Sequence, residues 1–450
     1  MKKIFRFTAI ALCACLSFSA CKKDKGDDNG EIKNSTKSVE QNKADIQQAG
    51  IDLSKELDAM KDGKAFNALL QLANLQKNGE LKSYVLKSTD VDAKLKGFNE
   101  SEELDELANT IEEMSGAYEW DAAKGEFTKT GDKTNAVSYK FPYSSKSTSN
   151  DCEVEATVGY ASNIKNMPAN VNCTLKINGT ECLKLSYVGV FTNEGYPTSL
   201  TETLSADDYS LSTNYTRSNS KLEVSVSFLH GTTTLLNTSS SIEGNLTDEN
   251  FDKLMAEMNG GDDDEVEGGD DDNVDYDLYT NVLSKITFST QVMNFKFVGS
   301  AATKSIAELS KKIDEREPAT QAEVQALVDA ANNAIDCYVL NVSENAKIAS
   351  IKLFVVKDEY DETAERYEAE PMLVFPDESK MTFEDYFKTG FDEVGKAFED
   401  MAKDFQEALE QYGLTGGDDD GRIIDDNYYG GDDDYYGDDN YQPIDGVTEG

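Results

Sequence analysis

The sequence predicts an α+β fold: a large antiparallel β-meander, forming a curved sheet or half-barrel, packed by N- and C-terminal helices. Three patterns in the 450 residues support this prediction. Apolar side chains recur every three or four residues before residue 117 and again in the last third of the chain, which is typical of helices. From about residue 117 to 246 they alternate with polar side chains, as in strands. Acidic, glycine-containing stretches interrupt the pattern and predict disordered segments.

The N-terminal part of the chain has the spacing of three amphipathic helices. The first covers residues 38–60, the second lies near residue 70, and the third follows Ser101, whose hydroxyl suits an N-cap. Their apolar positions are Ile46, Ala49, Leu53, Leu57 and Met60; then Phe66, Leu69, Leu70 and Ala73; then Leu104, Leu107, Ile111 and Met114. We expect each apolar stripe to face the core.

The central region predicts about eight consecutive antiparallel strands. Alternation is clearest at residues 152–160 and 222–228, and Asn178-Gly179 marks a tight turn. Short links without a helical period favour a meander, whose apolar face needs a cover of helices or of a second sheet. The other strands are expected at residues 137–143, 171–177, 182–191, 199–204 and 209–216.

A second α+β block is expected after a helix at residues 248–258. It begins with one strand at 285–298 and contains helices around residue 309 and at 321–335, the latter with a capping box of Thr320 and Glu323. Strands follow at 337–342, 348–356 and 371–375. One last helix starts at Thr382 and carries the apolar stripe Phe383, Phe387, Phe391, Val394, Phe398, Met401, Phe405 and Leu409.

These elements divide the chain into six segments. Residues 1–20 are a signal peptide and 21–37 a flexible tether; 38–258 hold helices and the meander, and 259–277 are an acidic disordered linker. Residues 278–412 form the second block, which either stands apart or packs on the same sheet, and 413–450 are an acidic disordered tail.

Charge excludes several classes of partner and mechanism. The chain has 86 acidic and 43 basic residues, a formal net charge of -43 and a single histidine, His230. Such a chain repels nucleic acid and anionic lipid headgroups. No nucleophile elbow, phosphate-binding loop or CxxC motif occurs, so we expect a protein without catalytic function.

The N-terminus predicts an anchor. Lys2, Lys3 and Arg6 precede an apolar run at residues 8–18 that is too short to span a bilayer, and Ser19-Ala20 precede Cys21. This arrangement resembles the signal of bacterial lipoproteins, in which the cysteine is acylated and the signal peptide is cleaved off directly before it. The resemblance implies lipidation of Cys21, detectable with palmitate, and an outer-membrane location. The polar stretch after Cys21 resembles the surface-export signal of Bacteroidota-type lipoproteins; a periplasm-facing location is the alternative.

One candidate metal site lies in the acidic linker. Side chains with oxygen ligands suited to calcium occur at every second position, at Asp271, Asn273, Asp275 and Asp277. The glycine and glutamate of an EF-hand loop are missing, however. The pattern therefore favours weak, fast-exchanging cation association over specific calcium binding, and no other cofactor is expected.

Besides Cys21, four cysteines remain in the mature chain: Cys152, Cys173, Cys182 and Cys337. Cys152 and Cys173 lie on the apolar faces of consecutive strands, so the sequence allows either a disulfide between them or free, buried thiols. Either arrangement is structural.

The sequence thus predicts an envelope-anchored lipoprotein with a non-catalytic binding or interaction role and an unknown protein or apolar partner. The first alternative is a carrier that holds a lipid or other apolar ligand between sheet and helices, since the predicted sheet loosely resembles the half-barrel of lipoprotein and lipid carriers. A carboxylate-dependent hydrolase is a distant alternative.

Overall fold

The computed structural model describes residues 32–75, 112–259, 280–357, 367–388 and 391–410, apart from positions 166, 194, 305, 306, 309, 310 and 312–319 within these ranges. Several predicted features lie outside the described residues. They are the signal segment with Cys21, most of the third helix, the acidic linker with the candidate calcium ligands, most of the helix near residue 309, and the acidic tail.

The described elements confirm the α+β class and the antiparallel meander. The helices are α1 (Val39–Asp58), α2 (Lys64–Leu75), α3 (Asp248–Asn259), α4 (Gln321–Ala334), α5 (Phe383–Phe387) and α6 (Asp392–Glu410). The first strands are β1 (Lys33–Asn34), β2 (Gly116–Asp121), β3 (Glu126–Gly131), β4 (Ala136–Phe141), β5 (Cys152–Tyr160), β6 (Pro168–Ile177), β7 (Thr180–Phe191), β8 (Pro197–Ala206) and β9 (Tyr209–Ser218). The remaining strands are β10 (Lys221–His230), β11 (Thr233–Gly244), β12 (Leu283–Val292), β13 (Phe295–Ala302), β14 (Ile335–Asn341), β15 (Ala346–Lys357), β16 (Tyr367–Val374) and β17 (Lys380–Thr382).

All the strands belong to one 17-stranded sheet. From β4 to β17 each strand pairs antiparallel with the next one along the chain, and β3 pairs with β2 in the same way. The two parallel pairs are β2 with β4 and β1 with β15. The meander therefore continues from β11 into β12, across the predicted linker.

Four predictions about elements were wrong in detail. The strand expected at residues 285–298 is a hairpin of β12 and β13, and the single last helix is two helices, α5 and α6. The tether expected at 21–37 does not stay flexible to its end, because Lys33–Asn34 forms β1. The region from residue 116 to 244 also holds ten strands, two more than expected.

The register brings the apolar side chains of neighbouring strands to the same side of the sheet, here called the inner face. Pairs that show this are Val154 opposite Leu175, Leu222 opposite Ile242, and Phe297 opposite Val339. Helices cover this face in four clusters: α2 on β4–β7, α3 on β9–β12, α1 with α5 on β13–β16, and α4 on β14–β16. On the opposite side, here called the outer face, β6–β12 carry mainly Ser, Thr, Asn and Lys, whereas β13–β15 also carry Val298, Leu340, Phe354 and Val356.

Local capping chemistry explains where these helices begin. At α4 the Thr320 hydroxyl accepts the backbone N–H of Glu323, whose carboxylate in turn accepts the Thr320 N–H, so the predicted capping box is confirmed. Thr382 caps α5 through the Asp385 N–H, and Ser38 with Gln41 forms a capping box at α1.

Candidate functional site

The described residues place His230 at the end of β10, where it joins the sheet to α1. Its Nδ1 lies 2.5 Å from a carboxylate oxygen of Glu56, in the last turn of α1. Its ring stacks on Tyr209, the cross-strand partner on β9, with ring centres 4.2 Å apart. The Tyr209 hydroxyl donates to the Glu56 carbonyl at 2.8 Å. Both sides of the His230–Glu56 pair are about one-third exposed.

The contacts of Tyr209 and His230 with Glu56 join the sheet to α1. Burial, followed by the charges of Glu56 and Asp208, raises the pKa of Tyr209, so its hydroxyl remains a hydrogen-bond donor at neutral pH. One imidazole nitrogen is held by Glu56, and one ring face is covered by Tyr209. The cluster therefore links the end of α1 to the sheet.

Of the two arrangements that the sequence allowed for Cys152 and Cys173, the structure has free thiols and not a disulfide. The two cysteines do not lie opposite each other: Cys152 pairs with Ile177 and Cys173 with Ala156. The register offsets the two cysteines by four residues, which is about 14 Å along the strands. That distance is too long for a disulfide. Cys152, Cys173, Cys182 and Cys337 are all free thiols.

Burial makes the Cys152 and Cys173 thiols weaker acids than an ordinary cysteine. It raises the pKa of Cys152 to about 12, with a smaller contribution from Asp151, and that of Cys173 to about 11. Because the thiolate is the nucleophile and the metal ligand, neither cysteine is poised for chemistry at neutral pH. In the described part of the chain, no group of three or more His, Cys, Asp or Glu side chains is placed to hold a metal ion.

A buried cation lies under α3. Arg217, with 4% of its side chain exposed, pairs with Asp248 at the start of α3. Its guanidinium lies 4.1 Å from the centre of the Phe251 ring, a cation–π contact. Arg217 thus links β9 to the N-terminus of α3, and no local sequence pattern predicts this pair.

The inner face beneath α5 is packed. A cavity of about 10 Å³ remains between Phe297, Val339, Leu373 and Tyr386. That is room for about one water molecule, whereas small-molecule sites occupy roughly 300–1,000 Å³. The Tyr386 hydroxyl has no hydrogen-bond partner among the described residues.

A larger cleft of about 330 Å³ opens at the outer face of β4–β6. Its floor is a cross-strand row in which Glu153 lies between Lys140 and Lys176. Its walls are a loop and the β6–β7 turn; the wall residues are Ser149, Asn150, Asp151, Asn178 and Gly179.

The sequence could not reveal this cleft. Its floor residues are ordinary polar positions in alternating strands, and they become neighbours only through the register. The Asn178-Gly179 turn was predicted, and its positive φ angles of 51° and 78° agree with a tight hairpin turn.

No described helix has both the length and the apolar composition needed to cross a membrane. Comparison with protein-family models, with curated proteins and with solved structures finds no match. The geometry of the described residues is therefore the evidence for the candidate sites.

Proposed function

We propose that the chain is a bacterial lipoprotein, held at the outer membrane through acylated Cys21, whose folded body binds a partner and does no chemistry. The observation that carries the proposal is the order of N-terminal features: basic residues, an apolar run at 8–18, and the small residues Ser19 and Ala20 directly before Cys21. Two or three acyl chains hold a protein almost permanently, since each buried methylene contributes about 0.8 kcal/mol.

The described side chains support a non-catalytic body. His230 is engaged by Glu56 and Tyr209, and burial keeps the Cys152 and Cys173 thiols protonated. The polar stretch at residues 22–30 supports the outer surface of the cell as the location, and the periplasmic face is the alternative.

The inner-face geometry favours this binding role over the carrier alternative. A carrier needs an apolar cavity of at least roughly 300 Å³. The cavity beneath α5 holds about 10 Å³, so an acyl chain would require the helices to move away from the sheet.

Metabolic labelling with an alkyne analogue of palmitate tests the anchor. Wild-type protein should incorporate the label, Cys21→Ala should not, and the control Cys173→Ala should label normally. Label on Cys21→Ala would refute the proposal. Digestion of intact cells with a protease then separates the two locations, because only surface-exposed protein is cleaved.

A further inference from the structure

The first strand of the folded body is paired with the first residues of β15. Strand β1 lies parallel to β15, with Asn34 opposite Lys347, and the Ser35 N–H donates to the Lys347 carbonyl at 2.7 Å. Two residues further on, the Lys37 ammonium lies 2.5 Å from a carboxylate oxygen of Glu344 in the β14–β15 turn. The residues that lead back to Cys21 therefore join the folded body where β15 begins, at an edge of the sheet that we call the tether edge.

An apolar patch on the outer face of β13–β16 adjoins the tether edge. Leu340 lies opposite Lys347, and Val298 lies opposite Tyr338 in the next row of the sheet. The patch side chains are partly exposed, and none belongs to the four clusters that helices cover on the inner face. Among the described residues, the patch therefore has no helix packed on it. It consists of Val298, Tyr338, Leu340, Phe354, Met372 and Val374.

Charge at the tether edge is balanced, although the whole chain has a formal net charge of -43. Near this edge, lysines and carboxylates are equal in number among the described residues of β1, the start of α1, the neighbouring turns and the adjoining outer face. Anionic lipids therefore repel this edge less than they repel the chain as a whole. The lysines are Lys33, Lys37, Lys296, Lys347 and Lys380, and the carboxylates are those of Glu40, Asp45, Glu344, Asp377 and Glu378.

The length of the tether confines this edge to the neighbourhood of the bilayer. Residues 22–31 let Ile32 lie at most about 40 Å from an acylated Cys21. Such a link raises the effective concentration of lipid at the patch, so an apolar contact too weak for a free protein becomes populated. We infer that the outer face of β13–β16 rests on the lipid surface, with Val298, Leu340 and Phe354 at the boundary of headgroups and acyl chains. The inference rests on the proposed function, because it needs the acyl anchor, and it assigns the side of the body that faces the membrane.

Quenching of tryptophan by brominated lipid tests this contact. The full acylated chain, purified from bacterial membranes, is reconstituted into vesicles of phosphatidylcholine and phosphatidylethanolamine, with or without bromine on the acyl chains near the headgroups. Leu340→Trp and Phe354→Trp each place a sensor in the patch. Val190→Trp is the matched control, because Val190 is an outer-face side chain, 54% exposed, that lies eight strands away on β7. Wild type contains only Trp120, which packs in the cluster under α2, and supplies the baseline.

Brominated lipid should reduce the emission that Leu340→Trp and Phe354→Trp add to the baseline, and it should leave Val190→Trp unchanged. Equal quenching in Leu340→Trp and Val190→Trp, or no quenching in either patch variant, would overturn the inference. Blue-shifted, unquenched emission of Leu340→Trp that reverts when the protein is diluted among more vesicles would mean that a second copy covers the patch, which also overturns it. Flotation separates the two proposals. Protein that does not float with the vesicles lacks the anchor, which refutes the proposed function and this inference together, whereas floating protein with an unquenched patch refutes the inference alone.

Discussion

His230 and Glu56 join α1 to the sheet through side chains that are far apart in the sequence. Their separation of 174 residues explains why the contact could not be predicted from the sequence. A lone histidine at a turn has no local pattern that identifies a carboxylate on a distant helix. Capping boxes such as Thr320 with Glu323 were predictable because both partners lie within one helical turn.

Replacing the imidazole tests this junction. We expect His230→Ala to lower the free energy of unfolding by about 1 kcal/mol, since a hydrogen bond and a ring contact are lost but both partners are partly exposed. Urea denaturation measures the change. Thr233→Ala, at the position paired with His230 on β11, should have a smaller effect. Equal denaturation midpoints for wild type and His230→Ala would show that the contact contributes nothing.

The thiols predict how stability depends on pH. The native state holds the pKa of Cys152 at about 12, above its ordinary value of 9.0, so unfolding in alkaline solution releases a proton. The stabilisation from keeping this thiol neutral is complete below about pH 9 and is lost as pH rises from about 9 towards 12. The free energy of unfolding should therefore decrease more between about pH 8 and about pH 11 in wild type than in Cys152→Ala. Parallel pH dependences would contradict the assignment.

The elements that were predicted wrongly from the sequence are those whose boundaries lack a strong local signal. The β12–β13 hairpin turns at Met293-Asn294, without the glycine that marks such turns, and Met293 adopts a φ of 50°. The apolar positions are even-numbered up to Val292 and odd-numbered from Phe295 onward. This change of parity is the one sequence feature that indicates a turn there. Between α5 and α6 the sequence contains Gly390, which favours a helix end. The continuous stripe of phenylalanines on both sides of it led to the prediction of one helix.

Two glycines test how α1 packs against α6. A Cβ at Gly50 would lie 2.7 Å from Cγ1 of Val394, whereas a Cβ at Gly395 would meet nothing within 4 Å. Alanine is favoured over glycine within a helix by about 1 kcal/mol, so Gly395→Ala should stabilise α6. Gly50→Leu should displace α6, because the branched Val394 side chain has little rotamer freedom.

Hydrogen exchange of the α6 amides distinguishes the two glycine variants. Exchange should slow in Gly395→Ala and accelerate in Gly50→Leu, compared with wild type. Unchanged exchange in Gly50→Leu would mean that the two helices separate without cost.

At the scale of the whole molecule, the two predicted blocks share one sheet. The β11–β12 ladder runs from Leu236 paired with Val292 to Gly244 paired with Leu283. Helix α1 also belongs to both parts: Val39 and Ile46 pack with the cluster on β13–β16, while Glu56 is held by β9 and β10. Sequence patterns indicated each strand locally. The pairing of β11 with β12, which an acidic stretch separates in the sequence, has no periodic signal.

This continuity predicts that both parts unfold together. Trp120, the only tryptophan, lies on β2 at one end of the sheet, so its fluorescence reports that end, while far-ultraviolet circular dichroism reports all strands and helices. In a denaturant titration the two signals should change at the same midpoint, because the β11–β12 ladder and α1 couple the ends of the sheet. If the Trp120 transition separated from the circular dichroism transition, residues 38–258 and 278–412 would be independent folding units. The shared sheet would then be too weak to couple them.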